Sequence, residues 1–261
     1  MRYLQNLIRV GRIGRQTIYV DPRNRHEVKN LIQRDIPQGE GTFTCPNPAP
    51  RILDCGAHVG VMTTHLKMQH PHASIISFEP NPSSYTKLLD NIEGNGFRDI
   101  TTINAALSDF DGKAVLFGAE EDETRGNSIS QAWGDRNEHS TQMHTQVTRL
   151  SHFLRRPCDF LKLDVEGVEY KVLLECGAWL QNCREIELEI HITASCGFTV
   201  QDIELLLLRQ GFQITAKKSR DISATLPKKW DSWTEHAKPH LTVIRAFNPL
   251  YDSRYPAKPR G

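Results

Sequence analysis

The sequence predicts an α/β fold in which helices cover both faces of a doubly wound, mostly parallel sheet. Strand-like and helix-like segments alternate from residue 51 to residue 217, a pattern typical of parallel sheets. A glycine-rich turn follows the first of these strands, and polar residues follow most of the others. Because ligands of open α/β sheets bind outside the carboxyl ends of the strands, we expect the functional site along that edge.

The predicted elements are short apolar or alternating runs separated by turn residues. One helix follows Gly60, and the others cover residues 82–93, 168–180 and 200–210. Asn81 as N-cap and Pro82 at the first helical position mark the start of the second helix. The predicted strands are Arg51–Cys55, Ser74–Phe78, Ile100–Asn104, Ala114–Phe117, Phe160–Val165, Glu185–His191, Phe212–Ala216 and Leu241–Phe247.

The composition shifts divide the chain into three parts. Residues 1–50 alternate short apolar pieces with proline and glycine and are predicted to form an N-terminal cap and linker, with a strand near 16–20 and a helix near 25–34. Residues 51–247 form the main domain, and residues 248–261 are expected to be a flexible tail. Within the main domain, the polar stretch 119–146 is interpreted as a substrate lid.

The bulk composition excludes some classes of partner. The chain has 261 residues, 38% of them hydrophobic, and a formal net charge of +1. This charge offers no global field for nucleic acid or anionic membrane. No apolar run approaches the ~20 residues that span a bilayer, and the N-terminus lacks a signal-peptide core. We therefore expect a cytoplasmic protein with no nucleic-acid or membrane partner.

The six cysteines form no C-x-x-C pair. This spacing argues against a thiolate zinc site. Buried free thiols in a reducing compartment are the simpler interpretation.

The glycine-rich turn has the sequence ILDCGAHVG over residues 52–60, with Asp54, Gly56 and Gly60 in a D-x-G-x-x-x-G spacing. Glycines at a strand end let the backbone approach a ligand closely. The spacing differs from the G-x-G-x-x-G turn that serves a dinucleotide pyrophosphate. An acid at this place would repel phosphate and suits a cationic ligand, such as S-adenosylmethionine with its sulfonium and ammonium groups.

Glu79 ends the next strand, nineteen residues after Gly60. An acid about 20 residues past the glycine turn is placed to accept hydrogen bonds from both ribose hydroxyls. The alternative is that Glu79 belongs only to a helix start. The N-cap explains Asn81 and Pro82 but leaves Glu79 unexplained, so we favour ribose binding.

Two further strand ends carry candidate catalytic groups. Lys162 and Asp164 share a face in DFLKLDVEGVE, residues 159–169, where the lysine needs a partner against desolvation. A structural ion pair and a functional role are both open for Lys162. Glu189 and His191 end the strand EIELEIH. They could act as base and orienter, or bind Mg²⁺ or Mn²⁺ together with Asp164 or Glu166.

Several motifs, in this order, resemble the FkbM family of S-adenosylmethionine-dependent methyltransferases. The resemblance runs from about residue 51 to residue 191 and implies a Rossmann-like class I sheet of seven strands, with Leu241–Phe247 as the antiparallel last strand. Most named members of the family methylate an oxygen on sugars or macrocyclic natural products. The motifs are ILDCGAHVG, SFEPNPSSYTKLLDNIEGNG, INAALSDFDG, GNSI, VTRLSHFL and DFLKLDVEGVEYKVL.

The resemblance also implies a set of cofactor-binding residues. By motif, Asp54, Gly56 and Gly60 would line the methionine end of the cofactor. His58 stands where the family motif leads us to expect asparagine, which leaves its role open. The resemblance also implies that Glu79 binds the ribose and that Asn81 lies close to the adenosine. Ala106 and Leu107 would flank the adenine, and Asp164 would lie beside the methyl donor.

The leading functional hypothesis is O-methylation of a hydroxyl group on a sugar or natural product. Asp164, Glu166 and His191 are the candidate catalytic residues, with His191 preferred as the base because its unperturbed pKa lies near neutrality. The expected cofactor is S-adenosylmethionine. No residue is assigned to a metal, although Mg²⁺ is kept open as a second cofactor.

Three other functions are weighed. A nicotinamide oxidoreductase is disfavoured by the glycine spacing. N-methylation of a peptide or protein amide and a non-catalytic cofactor-binding protein stay open. The acceptor is thus a small molecule or a peptide, and a homodimer is left open.

Overall fold

The computed structural model describes residues 8–13, 16–20, 29–118, 127–130, 141–192, 197–221 and 240–257. The strands are β1 (Ile8–Ile13), β2 (Gln16–Val20), β3 (Arg51–Cys55), β4 (Ser74–Phe78), β5 (Ile100–Ile103), β6 (Ala106–Ser108), β7 (Gly112–Gly118), β8 (Thr141–Arg149), β9 (Cys158–Leu163), β10 (Cys183–Ile192), β11 (Gln213–Asp221) and β12 (His240–Phe247). The α-helices are α1 (Val61–Gln69), α2 (Pro82–Gly94), α3 (Glu169–Cys176), α4 (Val200–Arg209) and α5 (Tyr251–Arg254).

The central sheet has seven strands in the order β11-β12-β10-β9-β3-β4-β5. β12 runs antiparallel to both of its neighbours, while the pairs formed by β10, β9, β3, β4 and β5 are parallel. This confirms the predicted doubly wound, mostly parallel sheet with an antiparallel last strand. From β3 the chain winds outward to β5 and then returns to β9 on the other side of β3. The strand ends of β3 and β9 therefore form a switch point, where such sheets bind ligands.

Both faces of the sheet are buried, as parallel sheets require. Successive residues of a strand point to opposite faces, so Leu53 and Leu161 pack in one apolar cluster with α3 and α4. Ile52 and Phe160 pack in a second cluster with α1 and the N-terminal segment. The β3 strand is thus held rigidly between two cores, which fixes the turn that follows it.

A second, three-stranded sheet has the order β6-β8-β7. The predicted strand Ala114–Phe117 is real, but it belongs to this small sheet as part of β7, so its place in the main alternation is wrong. Residues 141–146 of the proposed lid are part of β8, which pairs antiparallel with β7. Apolar and polar residues alternate in MHTQV, residues 143–147, which suits a strand, although the polarity of the whole stretch suggested a loop. Of the remaining proposed lid, only residues 127–130 lie within the described chain.

Both ends of the chain are packed onto the domain where they are described. The side chain of Asn95, after α2, accepts from the Thr17 amide of β2 at 3.1 Å and donates to the Thr17 carbonyl at 2.9 Å. At the other end, Asn248 donates to the Gln181 carbonyl at 2.9 Å, and Tyr251 is buried. Apolar and amide side chains therefore anchor Asn248 and Tyr251, at the start of the segment expected to be a tail, to the domain.

Cys55, Cys158, Cys176 and Cys183 are buried free thiols, and Cys45 is a half-buried free thiol. This agrees with the sequence prediction for the five described cysteines; Cys196 lies outside the described residues. Over those same parts of the chain, no helix is both long and apolar enough to cross a membrane.

Candidate active site

A cavity with about 870 Å³ of empty volume lies at the carboxyl ends of β3, β4 and β9. It has two regions, which we call the Glu79 end and the Asp164 end. The Glu79 end comprises His58, Glu79 and the β6 residues, and the Asp164 end comprises Lys162, Asp164 and Glu166. The predicted site residues that line the cavity are Gly56, His58, Glu79, Ala106, Leu107, Asp164 and Glu166.

Gly56 occupies the point where the β3 and β9 loops approach most closely. Its φ is +89°, and a Cβ placed on it would lie 1.8 Å from the Asp164 carbonyl oxygen. Its amide donates to the Phe78 carbonyl at 3.1 Å. A side chain here would separate the two loops that form the cavity, which explains the glycine.

Asp54 and Gly60, which by motif would line the methionine end of the cofactor, lie behind the residues that line the cavity. Asp54 is fully buried, and Thr63 of α1 donates to its carboxylate at 2.6 Å. Burial raises the pKa of Asp54, against the influence of Lys162 and the Thr63 hydroxyl. Gly60 has φ +89° and packs against α2, where a Cβ would lie 2.7 Å from a Leu88 methyl group. Both residues therefore support the glycine-rich turn through buried contacts with α1 and α2.

His58 has a left-handed backbone conformation, with φ +51°. Asparagine and histidine are among the residues that tolerate this conformation best, so the histidine found where asparagine was expected meets the same backbone requirement. Its amide donates to Glu79 at 2.8 Å. The glycine turn and the β4 end are thereby joined.

Glu79 is held by two backbone amides. One carboxylate oxygen accepts from His58, and the other accepts from Asn81 at 2.8 Å. Burial raises the pKa of Glu79 to about 7, although both amides act to lower it. Asn104 donates to the Glu79 carbonyl at 2.8 Å, which sequence reasoning missed.

Asn81 is the N-cap of α2, as predicted. Its side chain accepts from the amides of Ser83 and Ser84, and the residue is fully buried. It thus lies behind the cavity wall, where it positions Glu79 through its own amide rather than facing the cavity directly.

The buried Lys162 and the partly exposed Asp164 form an ion pair on the cavity wall. The Lys162 ammonium donates to Asp164 at 3.1 Å and to the Gly56 carbonyl at 3.3 Å. Burial alone would lower the pKa of Lys162, but Asp164, Asp54 and Glu189 outweigh it and raise the pKa. The lysine therefore carries a full charge and ties the β9 end to the glycine turn.

His191 lies behind Asp164 and Glu166 and is 2% exposed. Its Nδ1 lies 2.9 Å from Glu169, and its Nε2 lies 3.3 Å from Glu166 and 4.0 Å from Asp164. Burial disfavours the charged ring, but Glu166 and Glu169 prevail and raise the pKa of His191 to about 10. His191 was preferred as the base because the unperturbed pKa of an imidazole lies near neutrality; the raised pKa favours the protonated ring at neutral pH instead.

Glu166, like His58, has a left-handed backbone conformation, with φ +56°. Ser128, from the polar insertion, donates its hydroxyl to the Glu166 carbonyl. Gly167 donates its amide to Glu169 at 3.0 Å. These contacts hold the loop that follows β9 against α3 and the insertion, so the Glu166 carboxylate has a defined place.

Asp164, Glu169 and His191 could together hold a metal ion. Each offers a ligand atom, and these atoms lie within 4.8 Å of one another. His191 lies 2.9 Å from Glu169 and 4.0 Å from Asp164, so its ring, when protonated, balances the charge of these carboxylates.

Two residues of the cavity wall were not predicted from the sequence. Leu31 and Glu40 reach the cavity from the N-terminal cap, and they carry no local signal because their segment is packed across the sheet. Asn127 and Ser128, the pair within the GNSI motif on which the interpretation of the insertion as a lid depends, also line the cavity.

The fold and the cavity together define a class of protein. A seven-stranded sheet with an antiparallel last strand, a glycine turn after β3 and acids at the neighbouring strand ends are features of class I S-adenosylmethionine-dependent methyltransferases. The particular family follows from comparison with known proteins. The model of the methyltransferase FkbM domain matches residues 54–214, more than half of the chain. The chain belongs to this family and is an S-adenosylmethionine-dependent methyltransferase.

Relatives of known name agree with this assignment. The chain is 26% identical to Methyltransferase 1 of Beauveria bassiana (strain ARSEF 2860) over 177 residues, 60% of this chain and 70% of that protein. It is 26% identical to Methyltransferase sdnD of Sordaria araneosa over 201 residues, 65% of this chain and 76% of that protein. Neither name specifies an acceptor.

A comparable solved structure is M. jannaschii TYW2 in complex with AdoMet. The TM-score is 0.45 at 11% identity, over 93% of this chain and 87% of that chain.

Proposed function

We propose that the chain transfers the methyl group of S-adenosylmethionine to a hydroxyl oxygen of a small molecule, a sugar or a natural product. The observation that carries the proposal is the acidic wall at the Asp164 end. Asp164 and Glu166 line the cavity there, and the protonated His191 lies directly behind them. A neutral hydroxyl needs to lose a proton as it accepts a methyl group, and a carboxylate at that place can take it.

The proposed reaction is an in-line displacement at the sulfonium methyl. The acceptor oxygen bonds to the methyl carbon while the carbon–sulfur bond breaks, which leaves S-adenosylhomocysteine. The acceptor proton passes to the Glu166 carboxylate, and Asp164 lies beside the methyl donor. His191 positions Glu166 and balances its charge. Orientation of the two reactants supplies a large part of the acceleration.

Cofactor binding in this proposal uses the Glu79 end. Glu79 accepts hydrogen bonds from the ribose hydroxyls, and Ala106 and Leu107 flank the adenine. Gly56 and His58 form the turn along which the cofactor lies. Asp54, Gly60 and Asn81 support these groups from behind.

N-methylation of a peptide or protein amide is the second candidate, because the same acidic wall would also attract a polar nitrogen. The near-zero net charge supports a small acceptor over nucleic acid. Neither the family nor the names of the two fungal relatives given above decide between oxygen and nitrogen.

The test begins with mass spectrometry of the purified protein for retained S-adenosylhomocysteine. A methyl-transfer screen then uses deuterated S-adenosylmethionine with matched pairs of acceptors: sugars and their amino-sugar analogues, hydroxylated polyketides and peptides. Label on the hydroxyl compounds alone is the expected result. Label confined to amines or amides would overturn the proposed acceptor class.

A further inference from the structure

Residues 127–130 of the polar insertion are fastened to the small sheet. The Phe117 amide of β7 donates to the Ser128 carbonyl at 2.8 Å, and the Ser128 amide donates to the Phe117 carbonyl at 2.9 Å. These bonds use the edge of β7 that faces away from β8. The backbone of Ser128 is therefore held by the same paired hydrogen bonds that join the strands of an antiparallel sheet.

Gly118, the last residue of β7, lets this segment approach closely. A Cβ on Gly118 would lie 1.6 Å from the side-chain oxygen of Asn127, so a larger residue would displace Asn127. Asn127, Ser128 and Ile129 all line the cavity. The segment is thus a closely packed part of the cavity wall.

The small sheet is in turn joined to the central sheet beside the cavity. Thr145 of β8 donates its hydroxyl to the Pro80 carbonyl at 3.3 Å, and Pro80 directly follows Glu79. Leu116 of β7 is fully buried and lines the cavity. Ser128 therefore has a fixed place relative to the carboxyl ends of the central strands.

The Ser128 hydroxyl makes two hydrogen bonds. It donates to the Glu166 carbonyl at 2.5 Å and accepts from the Ser130 amide at 2.9 Å. A hydroxyl has one hydrogen to donate, and Ser128 is 1% exposed. The hydroxyl therefore acts on the loop that follows β9 rather than on a ligand in the cavity.

The backbone at Glu166 needs contacts of this kind. Glu166 has φ +56°, and the next residue, Gly167, has φ +97°. The left-handed conformation is unfavourable for a residue with a Cβ and persists only where the surrounding structure holds it. The carbonyl that Ser128 binds belongs to the peptide between these two left-handed residues. Loss of the hydrogen bond would thus allow this peptide to rotate.

The side chain of Glu166 is held by a different contact. One of its carboxylate oxygens lies 3.3 Å from Nε2 of His191, and Nδ1 of the same ring lies 2.9 Å from Glu169. His191 therefore holds the carboxylate, while Ser128 holds the carbonyl of the same residue. A rotation of the Glu166 backbone would shift the carboxylate on the cavity wall even with His191 in place.

We propose that Ser128 is a positioning residue for methyl transfer, which acts by holding Glu166 in the conformation that places its carboxylate on the cavity wall. The polar insertion thereby contributes to turnover through Glu166 rather than through the cofactor. This inference rests on the proposed function, in which Glu166 takes the acceptor proton. A displacement of about 1 Å at a reacting group can slow a reaction about 10²-fold.

The test begins with Ser128→Ala, which removes the hydroxyl without adding bulk. With an acceptor found in the methyl-transfer screen, kcat should fall by about 10- to 100-fold. The KM for S-adenosylmethionine and the affinity for S-adenosylhomocysteine should stay within about threefold of the wild type. Hydrogen exchange of the amides of residues 165–168 should be faster, because the loop has lost a contact. Initial rates, calorimetry and mass spectrometry measure these quantities.

The matched control is Ser130→Ala, the same substitution two residues further along. The amide that Ser130 donates to Ser128 is kept in this variant, so kcat, affinity and exchange should all be those of the wild type. An equal loss of kcat in Ser130→Ala would assign the effect to packing of the whole segment and overturn the inference.

A double-mutant cycle with Glu166→Gln shows whether Ser128 acts through Glu166. Two residues that act through one another have non-additive effects, so Ser128→Ala should lower the kcat of the Glu166→Gln protein by less than about threefold. The same fold loss in both backgrounds would show that Ser128 acts independently and overturn the inference. A loss of S-adenosylhomocysteine affinity as large as the loss of kcat would place Ser128 in the cofactor site and overturn it as well.

Two outcomes separate this inference from the proposed function. If Glu166→Gln is slow while a folded Ser128→Ala protein has wild-type kcat, Glu166 keeps its role and the inference about Ser128 fails. If the cycle is non-additive while the wild type methylates only nitrogen, the proposed acceptor class fails and the assignment of Ser128 stands.

Discussion

The two ends of the cavity are built in different ways. At the Glu79 end, backbone geometry does most of the positioning: His58 and Asn81 fix the Glu79 carboxylate through their amides. At the Asp164 end, charge balance does it, through Lys162 with Asp164 and His191 with Glu166. The first arrangement suits a constant cofactor, and the second suits proton transfer. Substitutions should accordingly change binding at one end and turnover at the other.

The largest effect is expected for Glu166→Gln at the Asp164 end. Loss of the proposed proton acceptor should lower turnover by about 10²- to 10⁴-fold. The affinity for S-adenosylhomocysteine should stay within about threefold, or about 0.7 kcal/mol, because cofactor binding is assigned to the Glu79 end. Initial rates with an acceptor found in the screen, together with calorimetry, measure the two quantities.

The control for Glu166→Gln is Glu93→Gln, which changes an exposed glutamate near the end of α2 and should alter neither rate nor affinity. Full turnover in a folded Glu166→Gln protein would show that another group takes the proton. A parallel loss of cofactor affinity would instead remove the distinction between the two ends.

Glu79→Ala tests cofactor binding at the Glu79 end of the cavity. Removal of a charged acceptor from two ribose hydroxyls should weaken S-adenosylmethionine binding by ~1–3 kcal/mol. At saturating cofactor, turnover should change far less. Calorimetry measures the affinity, and a wild-type circular dichroism spectrum shows that the variant is folded. A folded variant with wild-type affinity would contradict the assignment of Glu79 to the ribose.

The same contrast explains what could be predicted from the sequence. The Arg51–Cys55 and Ser74–Phe78 strands match the structure residue for residue, because turn residues bound them tightly. The Asn81 cap was predictable because it contacts residues two and three positions away. Such local contacts can be predicted because the residues that make them lie next to one another in the sequence.

Long-range contacts were not predictable in the same way. Glu40 reaches the cavity because Arg245, two hundred residues later, holds the carbonyls beside it. The pKa of His191 depends on Glu166 and Glu169, which lie on a different element. Asp54 was assigned by motif to the methionine end of the cofactor, and its hydrogen bond from Thr63 of α1 could not be read from that motif. Each of these outcomes depends on packing that no single motif contains.

The affinity for the cofactor should depend on pH through the titration of Glu79. Burial raises the pKa of Glu79 to about 7, so the side chain gains a proton as the pH falls through 7 rather than near its ordinary value. The protonated form loses its charge as an acceptor. S-adenosylhomocysteine affinity should therefore fall below pH 7, by at most about tenfold per pH unit.

Glu79→Gln is the matched control for this pH dependence. It keeps the shape of the side chain but cannot titrate, so its affinity should be flatter between pH 5 and pH 8 in the same buffers. Comparison of the two proteins removes contributions from other groups, including Asp164 and Lys162, which also act on Glu79. Identical slopes for the two proteins would assign the titration elsewhere.

The smallest effect is expected for chelation, since EDTA should leave turnover unchanged. Asp164, Glu169 and His191 offer ligand atoms within 4.8 Å of one another, so a divalent cation is a real alternative. A metal needs the neutral imidazole, whereas the surrounding carboxylates raise the pKa of His191 to about 10. Protons therefore compete with a metal at neutral pH, and the imidazolium already balances the carboxylates. Activity that EDTA abolishes and Mg²⁺ or Mn²⁺ restores would assign these three residues to a metal.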